Sequence, residues 1–379
     1  MIRPDARLVA RIDLDRLAAN WDALNTLSGQ AECAAVIKAN AYGHGVREIA
    51  LTLVHAGCRM FFTAGYEEAS ELREILDPVL PDAIIAVFDG ITGHDREAVL
   101  NRAVIPTINS LHDLGLFARW AGEAGTPLPA MLQLDTGMNR LGAGADELGQ
   151  IVNSPDFGAA DWRLVFSHLA SADEPDNPQN PRQKTAFDAM RATLPGIAAN
   201  TPASIAATGG IMLGEGFHYQ VTRPGIGLYG LSPVPAFSDH LQPVISLYAR
   251  VLQIRDANPG ETVGYNATAT LTRPSRLATI AGGYADGVRR HLSNKGHAFR
   301  NGLSAPIIGR VSMDTVVIDI TDWPDNSLTP GDYVELIHDG YDADAMAAQS
   351  GTIGYDILTG LGLRATPHYD GDIMNRIHF

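Results

Sequence analysis

Eight short β-rich runs recur along the front of the chain, each followed by a polar or glycine-bearing turn and then by residues at helical spacing. They are Ala34 to Lys38, Met60 to Gly65, Ala83 to Phe88, Val104 to Ile108, Ala130 to Gly137, Leu164 to Ala170, Ala203 to Gly210 and Val221 to Gly230. Strands that alternate with helices pair in parallel through right-handed crossovers, and eight such units is the number that closes a barrel. Residues 12–238 therefore read as a (β/α)8 barrel of the TIM type within an α/β fold. An open doubly wound sheet is the alternative, but no GxGxxG turn follows any of the runs.

The helical stretches agree. Between Asp13 and Leu27 the apolar residues Leu14, Leu17, Trp21, Leu24 and Leu27 fall on one face, with Asp13 or Asp15 placed to cap the start. That stripe reads as core packing. After about residue 240 strand-like runs follow one another with few helices between them: Leu247 to Arg255, Arg276 to Gly282, Ala305 to Val311, Thr315 to Ile320, Asp332 to Ile337 and Met374 to Phe379. A helical pattern near Thr352 to Leu361 interrupts them, and Pro235 and Pro243 flank the junction. Residues 239–379 are thus expected to form a mostly β domain, and residues 1–11 a strand that pairs with it.

Composition narrows the function. With 379 residues, 45% of them hydrophobic and 19% charged, the chain can bury substantial cores. Its 28 Lys plus Arg against 43 Asp plus Glu give a net charge of −15, which opposes nucleic acid and anionic membrane, so an anionic cofactor would need locally placed donors. Cys33 and Cys58 are too few for a disulfide framework, and the opening residues lack a secretory core, so a cytoplasmic setting is expected. No window reaches the roughly 20 apolar residues that span a bilayer.

A barrel carries its chemistry on the loops at the carboxyl ends of its strands. Lys38 stands at the exit of the first run, where β-branched neighbours desolvate its amine, disfavour the charged form and favour Schiff-base chemistry. Asp135 to Arg140 end the fifth run, Ser167-His168 lie in the sixth, Thr208-Gly209-Gly210 end the seventh, and Arg223-Pro224-Gly225-Ile226-Gly227 end the eighth. The last string is glycine-rich at a place where barrels often bind phosphate through backbone N–H groups. Taken singly, each residue has a plainer reading. Tyr265 could be an ordinary half-buried tyrosine, Tyr284 could pack a turn, His168 could be a core histidine, Arg223 a surface ion pair, and Arg140 a partner for Asp135.

Several strings, IKANAYGHG, DTGMNRLG, FSHLASAD, RPGIGLYG, VGYNAT, GYADG, GRVSMD and TIGYDIL, together make this chain resemble the alanine racemases over nearly its whole length. The resemblance implies pyridoxal 5'-phosphate attached to Lys38, Arg223 facing the pyridine nitrogen, and Tyr265 as the second catalytic base. It implies phosphate contacts from Tyr42, Gly225, Ile226, Tyr355 and, through its hydroxyl, Thr208. His168 matches the residue that links Arg223 to the tyrosine, and Arg140 one that reaches the cofactor's phenolic oxygen. Met313, Asp314, Tyr284 and Arg140 match the substrate side. A head-to-tail homodimer with sites at its interface is implied as well, with Tyr265 and the Met-Asp pair coming from the other subunit, as is a supply of D-alanine for peptidoglycan.

The chemistry has its own logic. Racemisation removes a proton from one face of Cα and returns one to the other, so two bases on opposite sides are wanted. An amine and a phenol suffice. A guanidinium keeps its protons at working pH, so a ring nitrogen facing Arg223 stays unprotonated and the cofactor is a weaker electron sink, which disfavours transamination.

Two positions depart from the family pattern. Gln133 stands where many members carry a carbamylated lysine that balances the arginine, and Ala207-Thr208 stands for the usual Asn-Ser. Rival readings remain. A non-catalytic pyridoxal-phosphate protein would lack the second domain and Tyr265, a related decarboxylase should carry an acid at Arg223, and a D-amino-acid aldolase needs a metal cluster that the sequence does not offer. A racemase of wider scope, acting on serine or lysine, differs only in pocket volume.

Overall fold

The computed structural model describes residues 6–92, 95–196, 200–362 and 364–375. The chain divides into two compact units, one of residues 17–41 and 46–241, the other of residues 1–16, 42–45 and 242–379.

The first unit is the barrel. Its strands are Glu32–Cys33 with Ala35–Val36, Met60–Thr63, Ile84–Val87, Val104–Ile105 with Thr107–Ile108, Leu128–Gln133, Ala160–Phe166, Ala203–Ser204 and Val221–Thr222. Neighbours pair in parallel in sequence order. The ring closes where Val221–Thr222 pairs with Glu32–Cys33, and where Arg223 bridges to Ala207. Pro106 marks a division of labour within the fourth strand. Val104–Ile105 pair backwards and Thr107–Ile108 forwards, and Pro106, which has no N–H to donate, offers its carbonyl to Met131 at 2.9 Å.

Helices cover the barrel for the reason given by their spacing. In Leu14–Leu27, Leu14, Leu17 and Leu24 are fully buried and Trp21 nearly so, while Leu27 is only half-buried. Each buried leucine contributes about 1.5–3 kcal/mol of apolar burial. Asp13 caps this helix, its carboxylate accepting the N–H of Arg16 at 3.0 Å.

The second unit is mostly β. An eight-stranded sheet is organised around the long strand Ile245–Ala257, which pairs with Leu8–Asp13, Ser275–Ala281 and Tyr333–Ile337. Leu8–Asp13 also pairs in parallel with Thr366–Asp370, a strand absent from the sequence expectation, as was His297–Arg300. Three expectations need correction. The strand expected over Ala305 to Val311 ends at Pro306, after which Ile307 keeps only a bridge to Ile318. The helix near Thr352 to Leu361 is Gly354–Thr359, preceded by a second helix, Ala343–Ser350. Of the run Met374 to Phe379, the first two residues end the tight turn Asp372–Asn375 instead of a strand, and residues 376–379 lie outside the described residues. Among the described residues no helix is long and apolar enough to cross a membrane.

Candidate active site

Lys38 lies two residues past the first barrel strand and opens a sharp turn. Ala39, Asn40, Ala41 and Tyr42 have φ of 54°, 52°, 53° and 53°, a run of non-glycine residues in left-handed helical conformation. Each such residue costs about 1–2 kcal/mol, so the turn must be fastened by its surroundings. The Lys38 ammonium lies 5.7 Å from the centre of the Phe88 ring. Burial, then the nearby Arg140 and Arg223 guanidinia, hold its pKa below the ordinary lysine value, while Glu68 and Asp89 pull the other way.

Arg223 is among the largest fully buried side chains of the described residues. Its guanidinium rests 4.8 Å from the Phe166 ring centre and 5.8 Å from that of Phe88, donates from Nε to Ser204 Oγ at 2.8 Å, and donates from Nη2 to the Ser167 carbonyl. Burial alone pulls its pKa down to about 9. The plain reading of Arg223 as a surface ion pair is excluded by that burial. His168 belongs to the same group. Burial first, then Arg223, Arg140 and Lys38, depress its pKa to about 3, so the ring is neutral. Among the described residues Arg223 donates to Ser204 and Ser167 and makes no hydrogen bond to the His168 ring.

At the exits of the seventh and eighth strands the Thr208 hydroxyl accepts the N–H groups of Gly225 at 3.1 Å and Gly227 at 3.2 Å, drawing the two glycine-bearing turns together. A Cβ at position 227 would lie 2.7 Å from Thr208 Cγ2, so this approach needs glycine. Ile226 follows Gly225 as the first residue of the buried turn Ile226–Tyr229. Asp135 does not pair with Arg140. Its Oδ1 instead accepts N–H groups from Gly137, Met138 and Asn139 at 2.9–3.1 Å and so builds the turn that leads to Arg140. Gln133 donates its amide N–H to the Leu141 carbonyl at 3.2 Å, and no hydrogen bond from Arg140 reaches its amide oxygen among the described residues. The arrangement suits an anionic cofactor with an aldehyde: an amine below its usual pKa, a buried guanidinium, and three cations bearing on a single histidine. Among the described residues no cluster of His, Cys, Asp or Glu is arranged to hold a metal.

The β unit carries the remaining predicted residues. Tyr42 and Tyr355 meet, their ring centres 6.3 Å apart, and burial pushes the Tyr42 hydroxyl pKa upward. Tyr284 and Met313 lie on adjoining turns, joined by Tyr284 N–H to Ser312 carbonyl at 3.0 Å and Ala285 N–H to Met313 carbonyl at 3.1 Å. A Cβ at Gly283 would collide with the Ser312 and Met313 carbonyls. Arg364 clamps these turns, with Asp286 and Asp314 carboxylates each 2.7 Å from its guanidinium. Tyr265 opens a tight turn whose next residues, Asn266 and Ala267, have φ of 61° and 49°, and it remains 69% exposed, with Met313 at 52% and Tyr284 at 45%. Phe88, Phe166, Ser204, Glu68 and Asp89 were not anticipated. Their sequence contexts carry only strand or helix-start signals, and closure of the barrel brings them to Lys38 and Arg223.

A parallel barrel with a lysine, a buried arginine and a bare-backbone turn at its strand exits defines the class of barrel-based pyridoxal-phosphate enzymes. Comparison with known proteins narrows this. Residues 12–233 match the family model for the alanine racemase N-terminal domain and residues 244–369 that for the C-terminal domain, so the chain belongs to the alanine racemase family. It is an isomerase of that family and depends on pyridoxal phosphate. It is 44% identical to an alanine racemase of Acidiphilium cryptum over 93% of this chain and 96% of that protein. It is 41% identical to one from Brucella suis over 94% and 92%. Among solved structures, alanine racemase from Bartonella henselae with covalently bound pyridoxal phosphate superposes with a TM-score of 0.90 at 38% identity, covering 96% of this chain and 100% of that one. Alanine racemase from Streptomyces coelicolor A3(2) gives 0.88 at 30%, covering 97% and 99%.

Proposed function

We propose that this enzyme interconverts L-alanine and D-alanine by a two-base mechanism, with Lys38 from the barrel of one subunit and Tyr265 from the β unit of its partner on opposite faces of the substrate. The observation that carries the reading is the gathering of Lys38, Arg223, His168 and Arg140 into one electrostatic group, together with the finding that a single copy leaves Tyr265 largely uncovered. The cofactor, bound through Lys38, supplies the electron sink that acidifies the substrate's Cα–H. Gly225, Ile226, Thr208, Tyr42 and Tyr355 would hold its phosphate, Arg223 would serve its ring nitrogen and Arg140 its phenolic oxygen.

Lys38 Nζ moves a proton on one face and Tyr265 Oη on the other. The neutral His168 ring can exchange a hydrogen bond with the phenol without adding charge. Met313, Asp314, Tyr284 and Arg140 border the substrate. The exposure of Tyr265 and Met313 supports a head-to-tail homodimer, because exposed aromatic and methionine side chains are typical of surfaces that a second chain covers. Two buried thiols outside any disulfide support a reducing cytoplasm, where the product would serve peptidoglycan synthesis.

Solvent deuterium exchange into L-alanine, D-alanine, L-serine and L-lysine tests the substrate. Exchange with both alanine enantiomers in excess over the others is expected. Faster exchange with serine or lysine would replace alanine by the broader-specificity reading.

A further inference from the structure

The left-handed turn behind Lys38 is fastened from three sides. Ala41 N–H reaches the Ile37 carbonyl at 2.9 Å, and Val46 N–H reaches Asn40 Oδ1 at 2.8 Å. The third fastening comes from outside the segment, where Glu68 Oε1 accepts the N–H of Ala39, the residue next to Lys38, at 2.7 Å. Glu68 occupies the third position of the helix Tyr66–Leu76, and its other oxygen, Oε2, accepts the Ala64 N–H at 2.9 Å. Reaching back to a helix start is ordinary capping. Capping accounts for the Ala64 bond and not for the one to Ala39. A single carboxylate thus straps the turn behind Lys38 to the exit of the second barrel strand through two charge-assisted bonds.

The charged neighbours of the Lys38 amine are Arg140 and Arg223 on one side of the balance and Glu68 and Asp89 on the other, with the neutral His168 ring also in range. Asp89 is itself held above the usual carboxylate range, by burial first and then by Glu68. Glu68 bonds directly to the backbone beside Lys38, and among the described residues it forms no ion pair that would draw it elsewhere.

We propose that Glu68 is a positioning residue for racemisation, aiming the Lys38 amine by strapping the turn behind it and supplying negative charge beside it. This rests on Lys38 being the cofactor-bearing base. Three variants of the holoenzyme test it: Glu68→Gln, which keeps length and one acceptor but no charge, Glu68→Asp, which keeps charge but not reach, and Lys38→Ala as reference.

In Glu68→Gln, kcat should fall about tenfold to a hundredfold with KM within about twofold. Its Lys38-dependent limb in the pH profile should move to lower pH, because the amine has lost a neighbouring anion. With Cα-deuterated alanine the primary isotope effect should rise for one enantiomer only, the opposite one from that affected by Tyr265→Phe. Glu68→Asp should lose rate with the limb unmoved, and it decides the matter if the glutamine variant fails to fold. Unchanged kinetics and pH profile in Glu68→Gln, or isotope effects that rise equally for both enantiomers, overturn the role. If Lys38→Ala keeps the yellow colour of a lysine-bound cofactor, the assignment of Lys38 itself fails. A colourless Lys38→Ala beside a silent Glu68→Gln removes only the positioning role.

Discussion

The barrel unit buries its candidate arginine, whereas the β unit leaves two tyrosines and a methionine open. Arg223 is fully buried, and burial with the nearby guanidinia lowers the pKa values of His168 and Lys38, while Tyr265, Tyr284 and Met313 stand exposed on turns. The contrast teaches how each half does its work. A closed parallel barrel can desolvate an amine and a guanidinium because its strand exits converge, and burial is what moves their pKa values. The β unit offers geometry instead: Gly283 packed against the Ser312 and Met313 carbonyls, and Arg364 pairing with both Asp286 and Asp314. Turns held in place with side chains left open suit completion by a second chain.

The contrast can be broken by mutation. Lys38→Ala should have the largest effect, loss of racemisation by about 10⁴-fold or more together with loss of the yellow bound cofactor, because in the proposed mechanism it removes both an attachment point and a base. Steady-state rates and an absorbance spectrum check it. Tyr265→Phe should cost about 10²- to 10³-fold in kcat while colour is retained. Its unfolding free energy from urea titration should stay within about 0.5 kcal/mol of the parent, since an exposed side chain away from the core has little packing to lose. A colourless Tyr265→Phe would count against the division between the two units.

The smallest effect sharpens the electrostatic half of the comparison. His168 has a folded pKa of about 3 against 6.5 for the free side chain. Between those values the unfolded chain binds a proton that the folded chain refuses, so the contribution is fully present above pH 6.5 and is lost as pH falls towards 3. Stability of the parent should therefore drop more steeply over that window than stability of His168→Asn, by up to one proton per molecule. Parallel slopes from urea unfolding at several pH values would show that the histidine is not held neutral by its surroundings.

Much of this was legible in the chain. The eight barrel runs were found because a strand and the glycine-bearing turn after it are local signals, and Lys38, Arg223 and Thr208 stood out as strand-exit residues for the same reason. The β unit was read less well. Thr366–Asp370 was missed because Pro367, His368 and the charged Asp370 hide its alternation, and it is a strand only through its parallel partner Leu8–Asp13, far away in sequence. His297–Arg300 is similarly made by its neighbours Leu303–Pro306 and Tyr333–Ile337.

Periodicity and turn chemistry by themselves determined that this chain builds a barrel followed by a β unit, and which residues lead out of the strands, because both depend on residues a few positions apart. Tertiary structure decided the charge states and the company those residues keep. Phe88, Phe166, Ser204 and Glu68 reach Lys38 and Arg223 only when the ring of strands closes. Burial and long-range Coulomb effects, which depress His168 and Lys38, exist only once that closure has excluded water.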